Sequence, residues 1–386
     1  MTEAQPKPDA APRRGAARSL TIAATAILVL LVIAGAAGWR VYSQRAAVPD
    51  WDERLTTLNL LAPAGDAFDD ATPWVSLILA PGTVNTDVPV TLRLENRQGT
   101  PTPTDANAPI ITAATLQPLG GSPTPLTLAS APDGSATSTV RFPTPGWWRI
   151  TAETSAGGAP ATYDFVVPDP NIAGPAAAPS PQTQPDAEAL YRQGLEALTT
   201  LQSVHYVQWM ADGKGNAAIS EHTVGAPTAD KPAEFLYRAA GGMEAILIGD
   251  TRWVQLPNNL GWTKQEGAFI VPPSEWGEEY AGATHFASIG TEEVDGVSTQ
   301  IISFVVPEVL EPQRQTAAWY TWWIDPATGH ILREAMVSRS HYMLNHFSDY
   351  DVPLNLTPPD MDAGAATPAA TPASGTDALP NATPAG

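Results

Sequence analysis

The sequence predicts a mainly β protein with one transmembrane helix, in which a β-sandwich precedes a curled antiparallel sheet with an N-terminal helix. Three observations support this fold class. Residues 20–39 carry no charge over the length that a bilayer requires. Residues 73–168 hold seven short alternating runs between turn residues. Residues 186–358 begin with one helical apolar pattern and continue as a series of strand patterns.

The composition limits the function. The chain has 386 residues and a net charge of −20, a negative field that repels nucleic acid. It contains no cysteine, which excludes disulfides, thiolate metal sites, a cysteine nucleophile and a lipidated cysteine anchor. The patterns of phosphate-binding loops, dinucleotide sites and zinc proteases are missing, and no serine lies in a nucleophile elbow. We therefore expect a protein without cofactor that is not an enzyme.

The N-terminal region predicts a membrane anchor. Residues 1–18 are expected to form a disordered cytoplasmic tail, and residues 19–39 a single-pass signal anchor. Trp39 and Tyr42 lie where interfacial aromatic residues occur. The alternative is a cleaved signal peptide, because Ala34-Gly35-Ala36 resembles a small-residue cleavage site. With an anchor, the rest of the chain is extracytoplasmic.

Residues 40–72 are predicted to be a juxtamembrane segment, with a candidate short helix at 52–62. The alternating runs of residues 73–168, with turns every 8–13 residues, predict an immunoglobulin-like sandwich. PGTVNTDVPVTLRLENRQGTPTP and TPGWWRITAETSAGGAPATYDFVVP resemble the YtkA-like/FixH-like extracytoplasmic sandwich, some relatives of which handle copper through Met and His. Residues 44–204 contain neither Met nor His, so we expect no copper site here.

Residues 169–185 are rich in proline and alanine and predict a semi-extended linker between two independently folded domains. The second domain covers residues 186–358, and Asp186 is placed to cap its opening helix. Residues 359–386, rich in alanine, threonine and proline, predict a disordered tail.

The second domain resembles the LolA-like half-barrel of lipoprotein carriers and of LppX/LprG-type lipoproteins. The resemblance is carried by ALYRQGLEALTTLQSVHY, GDTRWVQLPNNLGWTK, WWIDPATGHILRE and HFSDYDVPLNLTPP. It implies a concave face that holds the acyl chains of lipids or lipoproteins. Those lipoprotein relatives use a lipidated cysteine or are soluble, whereas a helical tether favours a receptor, storage or sensing role.

The hairpin at 319–333 carries bulky side chains on both faces, which predicts a core on one side and a cavity on the other. The alternation alone leaves open whether Trp319 and Trp323 or Tyr320 and Trp322 face the cavity. The stretch 258–285, which includes Phe269, is a candidate lid. The candidate ligand-binding residues are Leu195, Leu198, Trp209, Trp253, Trp262, Trp276, Trp319, Trp322 and Trp323.

Histidine and paired glutamate residues predict no metal or catalytic site. His341 and His346 are five residues apart on one strand and therefore lie on opposite faces. Three acidic pairs are expected to be solvated loop residues: Glu278-Glu279, Glu292-Glu293 and Glu308 with Glu311. We expect a membrane-anchored protein of the bacterial cell envelope that binds a lipid or another apolar ligand. The alternative is an envelope scaffold or sensor ectodomain that docks a protein partner.

Overall fold

The computed structural model describes residues 57–80, 84–102, 108–168, 184–257, 261–267, 270–307, 317–338 and 341–361. These residues belong to one compact unit, Trp51–Gly386. The predicted cytoplasmic tail and anchor, most of the linker and most of the C-terminal tail lie outside the described residues. Within the described ranges, no helix is long and apolar enough to cross a membrane. The anchor and the extracytoplasmic location stay predictions.

The first part of the unit is a two-sheet domain. One antiparallel sheet has the order β1-β2-β3-β7-β6 and the other β5-β4-β8-β9. Its strands are β1 (Leu58–Pro63), β2 (Trp74–Leu79), β3 (Asp87–Glu95), β4 (Ile111–Pro118), β5 (Thr124–Pro125), β6 (Ala129–Ser130), β7 (Ala136–Arg141), β8 (Gly146–Thr154) and β9 (Ala161–Val167).

The two sheets share a core. Leu77 and Leu92 face each other across β2 and β3 and are fully buried, as are Ile150 and Phe165 of the second sheet. The Tyr163 hydroxyl donates a hydrogen bond of 2.6 Å to the Val75 carbonyl and so links the sheets. This arrangement is a β-sandwich, whereas its assignment as immunoglobulin-like stays a prediction.

The candidate helix at 52–62 is wrong over the described residues. Leu58–Pro63 is strand β1, which pairs antiparallel with β2. A leucine-rich run suits a helix or a buried strand equally well, and here the backbone groups are satisfied by β2. Leu58, Leu60 and Leu61 are fully buried in the result.

The second part is an eleven-stranded antiparallel sheet with the order β15-β14-β13-β12-β11-β10-β20-β19-β18-β17-β16. The chain enters at the middle strand, runs out to one edge, crosses to the other edge and returns. The elements are α1 (Pro185–Thr200), β10 (Ser203–Ala211), β11 (Ala217–Gly225), β12 (Glu234–Ala239), β13 (Glu244–Ile248), β14 (Thr251–Gln255), β15 (Trp262–Glu266), a 3₁₀ helix (Pro273–Tyr280), β16 (Thr284–Val294), β17 (Val297–Val306), β18 (Ala318–Ile324), β19 (Ile331–Ser338) and β20 (His341–Ser348).

Helix α1 begins two residues earlier than the cap prediction requires. Gln184 is the N-cap and Pro185 occupies the first turn, so Asp186 lies inside the helix and is not its cap. Proline suits this position because its φ is preset and its missing N–H has no intrahelical partner there. Gly194 lets the helix approach the sheet, since a Cβ there would lie 3.2 Å from Ile324 and 3.3 Å from Trp322.

The β18–β19 hairpin is buried on both faces. Tyr320, Trp322 and Ile324 belong to the core beneath α1. Trp319 and Trp323 belong to a different core, which also contains the leucines of the two-sheet domain. The face of Tyr320 and Trp322 is therefore the one directed at the helix, which answers the question that alternation leaves open.

The two-sheet domain covers the other face of the sheet. Trp209 of β10 donates its indole N–H to the Leu61 carbonyl at 2.9 Å. Asn59 exchanges backbone hydrogen bonds with Gly213 and Gly215 at 2.9 and 2.8 Å. Two independently folded domains were expected, but the two parts form one unit with a shared core. This unit is Trp51–Gly386.

A four-charge cluster lies at this contact, around Trp323. Arg149 contacts Asp164 at 2.6 Å and Glu292 at 2.6 Å, and Arg333 contacts Asp164 at 3.1 Å. Burial alone would raise the pKa of Asp164, but the two guanidinium groups hold it below its ordinary value. Trp323 donates to Glu292 at 2.9 Å. Glu292 was expected to be a solvated loop residue, and this is wrong. It lies in strand β16 and completes a neutral cluster between the β5-β4-β8-β9 sheet and the eleven-stranded sheet.

We expect Arg149→Met to lower the free energy of unfolding of residues 51–386 by about 3–5 kcal/mol, since Asp164 would stay buried with one cation fewer. Arg141→Met is the matched control, because Arg141 is 59% exposed and pairs with an exposed Asp87. Its effect should stay within about 0.5 kcal/mol. Urea unfolding followed by tryptophan fluorescence measures both variants. Equal effects of the two substitutions would contradict a structural role for the cluster.

Candidate ligand-binding cleft

A cleft opens on the α1 face of the sheet, between the strands β10, β19 and β20 and the 3₁₀ helix. Its volume is about 360 Å³. This lies within the range of roughly 300–1,000 Å³ that is typical of small-molecule sites. The residues that line it are Tyr206, Gln208, Met210, Trp276, Glu279, Tyr280, Glu334, Met336, His341, Met343, Asn345 and Phe347.

Strand register arranges this lining in rows. Side chains two residues apart on one strand share a face, and neighbouring strands place equivalent positions side by side. The register of β10 against β20 gives three facing pairs: Tyr206 with Phe347, Gln208 with Asn345 and Met210 with Met343. Strand β19 adds Glu334 opposite Asn345 and Met336 opposite Met343. The floor is therefore an aromatic row, a polar row and a methionine row.

The apolar part of the lining is deformable. Three methionines form one row, and thioether side chains adapt to irregular shapes. Trp276 of the 3₁₀ helix forms the facing wall, with its ring edge-on to Tyr206 at a centroid distance of 5.9 Å. Its indole N–H donates to the Val271 carbonyl at 3.1 Å, which fixes the ring over the cleft.

The polar row ends at a buried carboxyl group. Glu334 is 1% exposed. It accepts hydrogen bonds from the Tyr280 hydroxyl at 2.8 Å, the Trp322 indole at 2.6 Å and the Asn345 amide at 2.9 Å. Gln208 in turn donates to Asn345 at 3.1 Å. Burial, with a smaller contribution from the Glu279 carboxylate, raises the pKa of Glu334 to about 7.

A second carboxyl group lies at the rim. Glu279 is exposed and accepts a hydrogen bond of 3.0 Å from the Tyr320 hydroxyl. Burial raises the pKa of Tyr280 and of Tyr320 well above the ordinary value, so both hydroxyls remain donors. Neither lysine nor arginine is among the described residues that line the cleft. Its electrostatic character is therefore acidic.

His341 contributes a ring nitrogen without a protein partner. Its Nε2 is buried and makes no hydrogen bond to the described residues. Burial also lowers the pKa of His341, which favours the neutral imidazole. His346, on the opposite face of β20, contacts Asp295 at 2.6 Å instead. Within the described part of the chain, no group of three or more His, Asp or Glu side chains is arranged to hold a metal ion.

The structure places the candidate ligand-binding residues in three environments. Trp276 lines the cleft, and Trp322 lies directly behind Glu334. Leu195 and Leu198 of α1 pack in the core beside it. The others lie outside the cleft: Trp209, Trp319 and Trp323 face the two-sheet domain, and Trp253 and Trp262 are on the strands β14 and β15. Phe269 of the candidate lid is not among the described residues.

Sequence reasoning missed the methionine row and Glu334. Glu334 did give a signal, because it is the one charged residue on the helix-facing side of a strand whose neighbours there are apolar. The role of Glu279 was hidden by the Gly- and Glu-rich composition around it, which is typical of a solvated loop. Those residues form a 3₁₀ helix that packs on α1, with Gly277 close to Thr199 and Leu195.

No protein-family model and no curated protein matches the sequence. Among solved structures, the chain is similar to LprF from Mycobacterium bovis, with 14% identity over 46% of this chain and 99% of that chain and a TM-score of 0.39. It is also similar to the lipoprotein LppX from Mycobacterium tuberculosis, with 23% identity over 45% and 100% of the two chains and a TM-score of 0.34.

A LolA superfamily protein from Nitrosomonas europaea is similar over 44% of this chain and 94% of that chain, with 9% identity and a TM-score of 0.22. LolA and LppX are the types that residues 186–358 resemble in sequence, whereas the YtkA-like resemblance gains no support and stays a prediction. Because all three TM-scores are below 0.5, function has to be inferred from the cleft itself.

The pKa of Glu334 predicts a pH dependence of stability. Its folded value of about 7 exceeds its ordinary value of 4.5, so the folded state holds a proton that the unfolded state has lost between these pH values. The contribution to stability is therefore complete below about pH 4.5 and is lost as the pH rises to 7, with a slope of up to about 1.4 kcal/mol per pH unit.

Urea unfolding of residues 51–386 at pH 5, 6 and 7 measures this slope. Glu334→Gln, which cannot ionise, should flatten it. Glu293→Gln replaces an exposed residue of β16 and should leave it unchanged. Retention of the full slope in Glu334→Gln would assign the pH dependence to another group.

Proposed function

We propose that the cleft binds a lipid chain or another apolar ligand without catalysing a reaction. The observation that carries this proposal is the open volume of about 360 Å³ above a closely packed floor. Trp322, which lies behind Glu334 of that floor, is fully buried and stacks on Tyr191 at a centroid distance of 5.3 Å. Clefts of this volume with an apolar lining and a few convergent polar groups are typical ligand sites.

The lining suits an apolar chain. Removing apolar surface from water is worth roughly 25 cal/mol for each Å² buried, without directional contacts. The methionine row can adjust to chains of different shape, while Trp276 and Tyr206 provide a firm aromatic wall. Three donors already engage Glu334, which favours a structural and recognition role over proton transfer.

The proposed setting is the outer side of a bacterial cell membrane. There residues 19–39 would hold the compact unit as a single-pass anchor. The two-sheet domain, proposed to be immunoglobulin-like and of the YtkA type, would serve as a rigid support, because it packs on the back of the sheet that forms the cleft. A fixed tether suits a receptor or a storage protein better than a shuttle between membranes.

Ligand uptake tests this proposal. Residues 51–386, purified without detergent, should carry co-purified lipid in native mass spectrometry and should bind the apolar probe N-phenyl-1-naphthylamine. Met343→Trp fills the cleft and should weaken probe binding at least about tenfold. His346→Trp is the matched control, since it is exposed on the opposite face of the same strand. An empty cleft that takes up no probe would favour the alternative, a scaffold that docks a protein.

A further inference from the structure

We propose that the cleft selects amphiphiles whose head group is a primary ammonium, and that Glu334 and Glu279 receive this head while the chain lies against the methionine row. This inference rests on the proposed function and specifies its ligand. It follows from the direction of the hydrogen bonds in the cleft, from its charge and from the unpartnered ring nitrogen of His341.

The donors of the polar row are already directed at Glu334. Gln208 donates to Asn345, and Asn345 donates to Glu334. Tyr280 and Trp322 also donate to Glu334. A carboxylate offers about four lone-pair positions, and these contacts use three of them. A ligand that donates hydrogen bonds can use the remaining acceptor capacity of Glu334.

The charge of the cleft points the same way. Glu334 lies at the floor and Glu279 at the rim, so a cation that enters meets one carboxylate first and the other second. Without lysine or arginine among the described lining residues, a fatty acid carboxylate would face like charges only. Like charges in a site of low dielectric are strongly unfavourable, and opposite charges are favourable when hydrogen bonds accompany them.

The opposite face of the sheet, which packs on the two-sheet domain, offers a comparison, because its carboxylates are paired with cations. Asp164 and Glu292 are matched there by two arginines. Glu334, the residue after Arg333 in the chain, is more deeply buried than either of them and has no such cation among the described residues. A bound ammonium would supply that missing charge.

His341 adds an independent observation. His341 is one of the residues that line the cleft, and its buried Nε2 has no hydrogen-bond partner among the described residues. An unsatisfied buried polar atom costs free energy unless a ligand or water satisfies it. The cleft therefore contains a polar position that the protein alone does not complete.

Three probes with one ten-carbon chain test this proposal: decylamine, 1-decanol and decanoate. Each competes with N-phenyl-1-naphthylamine for residues 51–386 at pH 8. Decylamine should bind at least about tenfold more tightly than decanoate, with 1-decanol in between. Equal or tighter binding of decanoate or 1-decanol would overturn the inference. A wild-type unit that takes up no N-phenyl-1-naphthylamine would instead contradict the proposed function itself.

Two substitutions locate the selectivity. Glu334→Gln and Glu279→Gln should each reduce the preference for decylamine over decanoate severalfold while probe binding persists, which reports an intact cleft. Glu278→Gln is the matched control, because Glu278 is exposed on the same 3₁₀ helix and does not line the cleft. A preference that survives in both the Glu334 and Glu279 variants, or that falls equally in the Glu278 variant, would overturn the assignment.

Discussion

The burial of the β18–β19 hairpin on both faces is the constraint on which the rest of the structure depends. Every residue of β18 is buried. One face packs in the core beneath α1, and the other packs on the two-sheet domain. A single-layer sheet can bury both faces of a strand only if another layer covers each of them. The two-sheet domain is thus a structural layer for the half of the chain that carries the cleft.

Consecutive residues of the hairpin make the same kind of contact on opposite faces of the sheet. Trp322 donates its indole N–H to Glu334 on the cleft side, and Trp323 donates to Glu292 on the back. Arg333 and Glu334 follow one another in β19 and are likewise directed to opposite sides. The back is neutral, with two cations for two carboxylates, whereas the cleft side keeps a carboxyl without a cation among the described residues. The same local pattern thus supports packing on one face and recognition on the other.

The shape of the cleft also depends on two glycines that do not line it. Gly194 allows α1 to lie close to Trp322, and Gly277 allows the 3₁₀ helix to lie close to α1. These close approaches place Trp276, Glu279 and Tyr280 over the sheet. Larger side chains at either glycine would push the wall outward and change the width of the cleft. The geometry of the site is therefore set by packing several residues away from it.

The sequence by itself determined the local elements of this protein. Period-two alternation predicted the short strands of residues 73–168, the series of strands that follows α1 and the hairpin at 319–333, because alternation is a property of adjacent residues. Only the tertiary structure decided that Tyr320 and Trp322 of β18 face α1, that β1 is a strand, and that Glu334 contacts Tyr280 and Asn345. Those contacts join residues far apart in the chain. They depend on strand register and layer packing, which a local pattern does not contain.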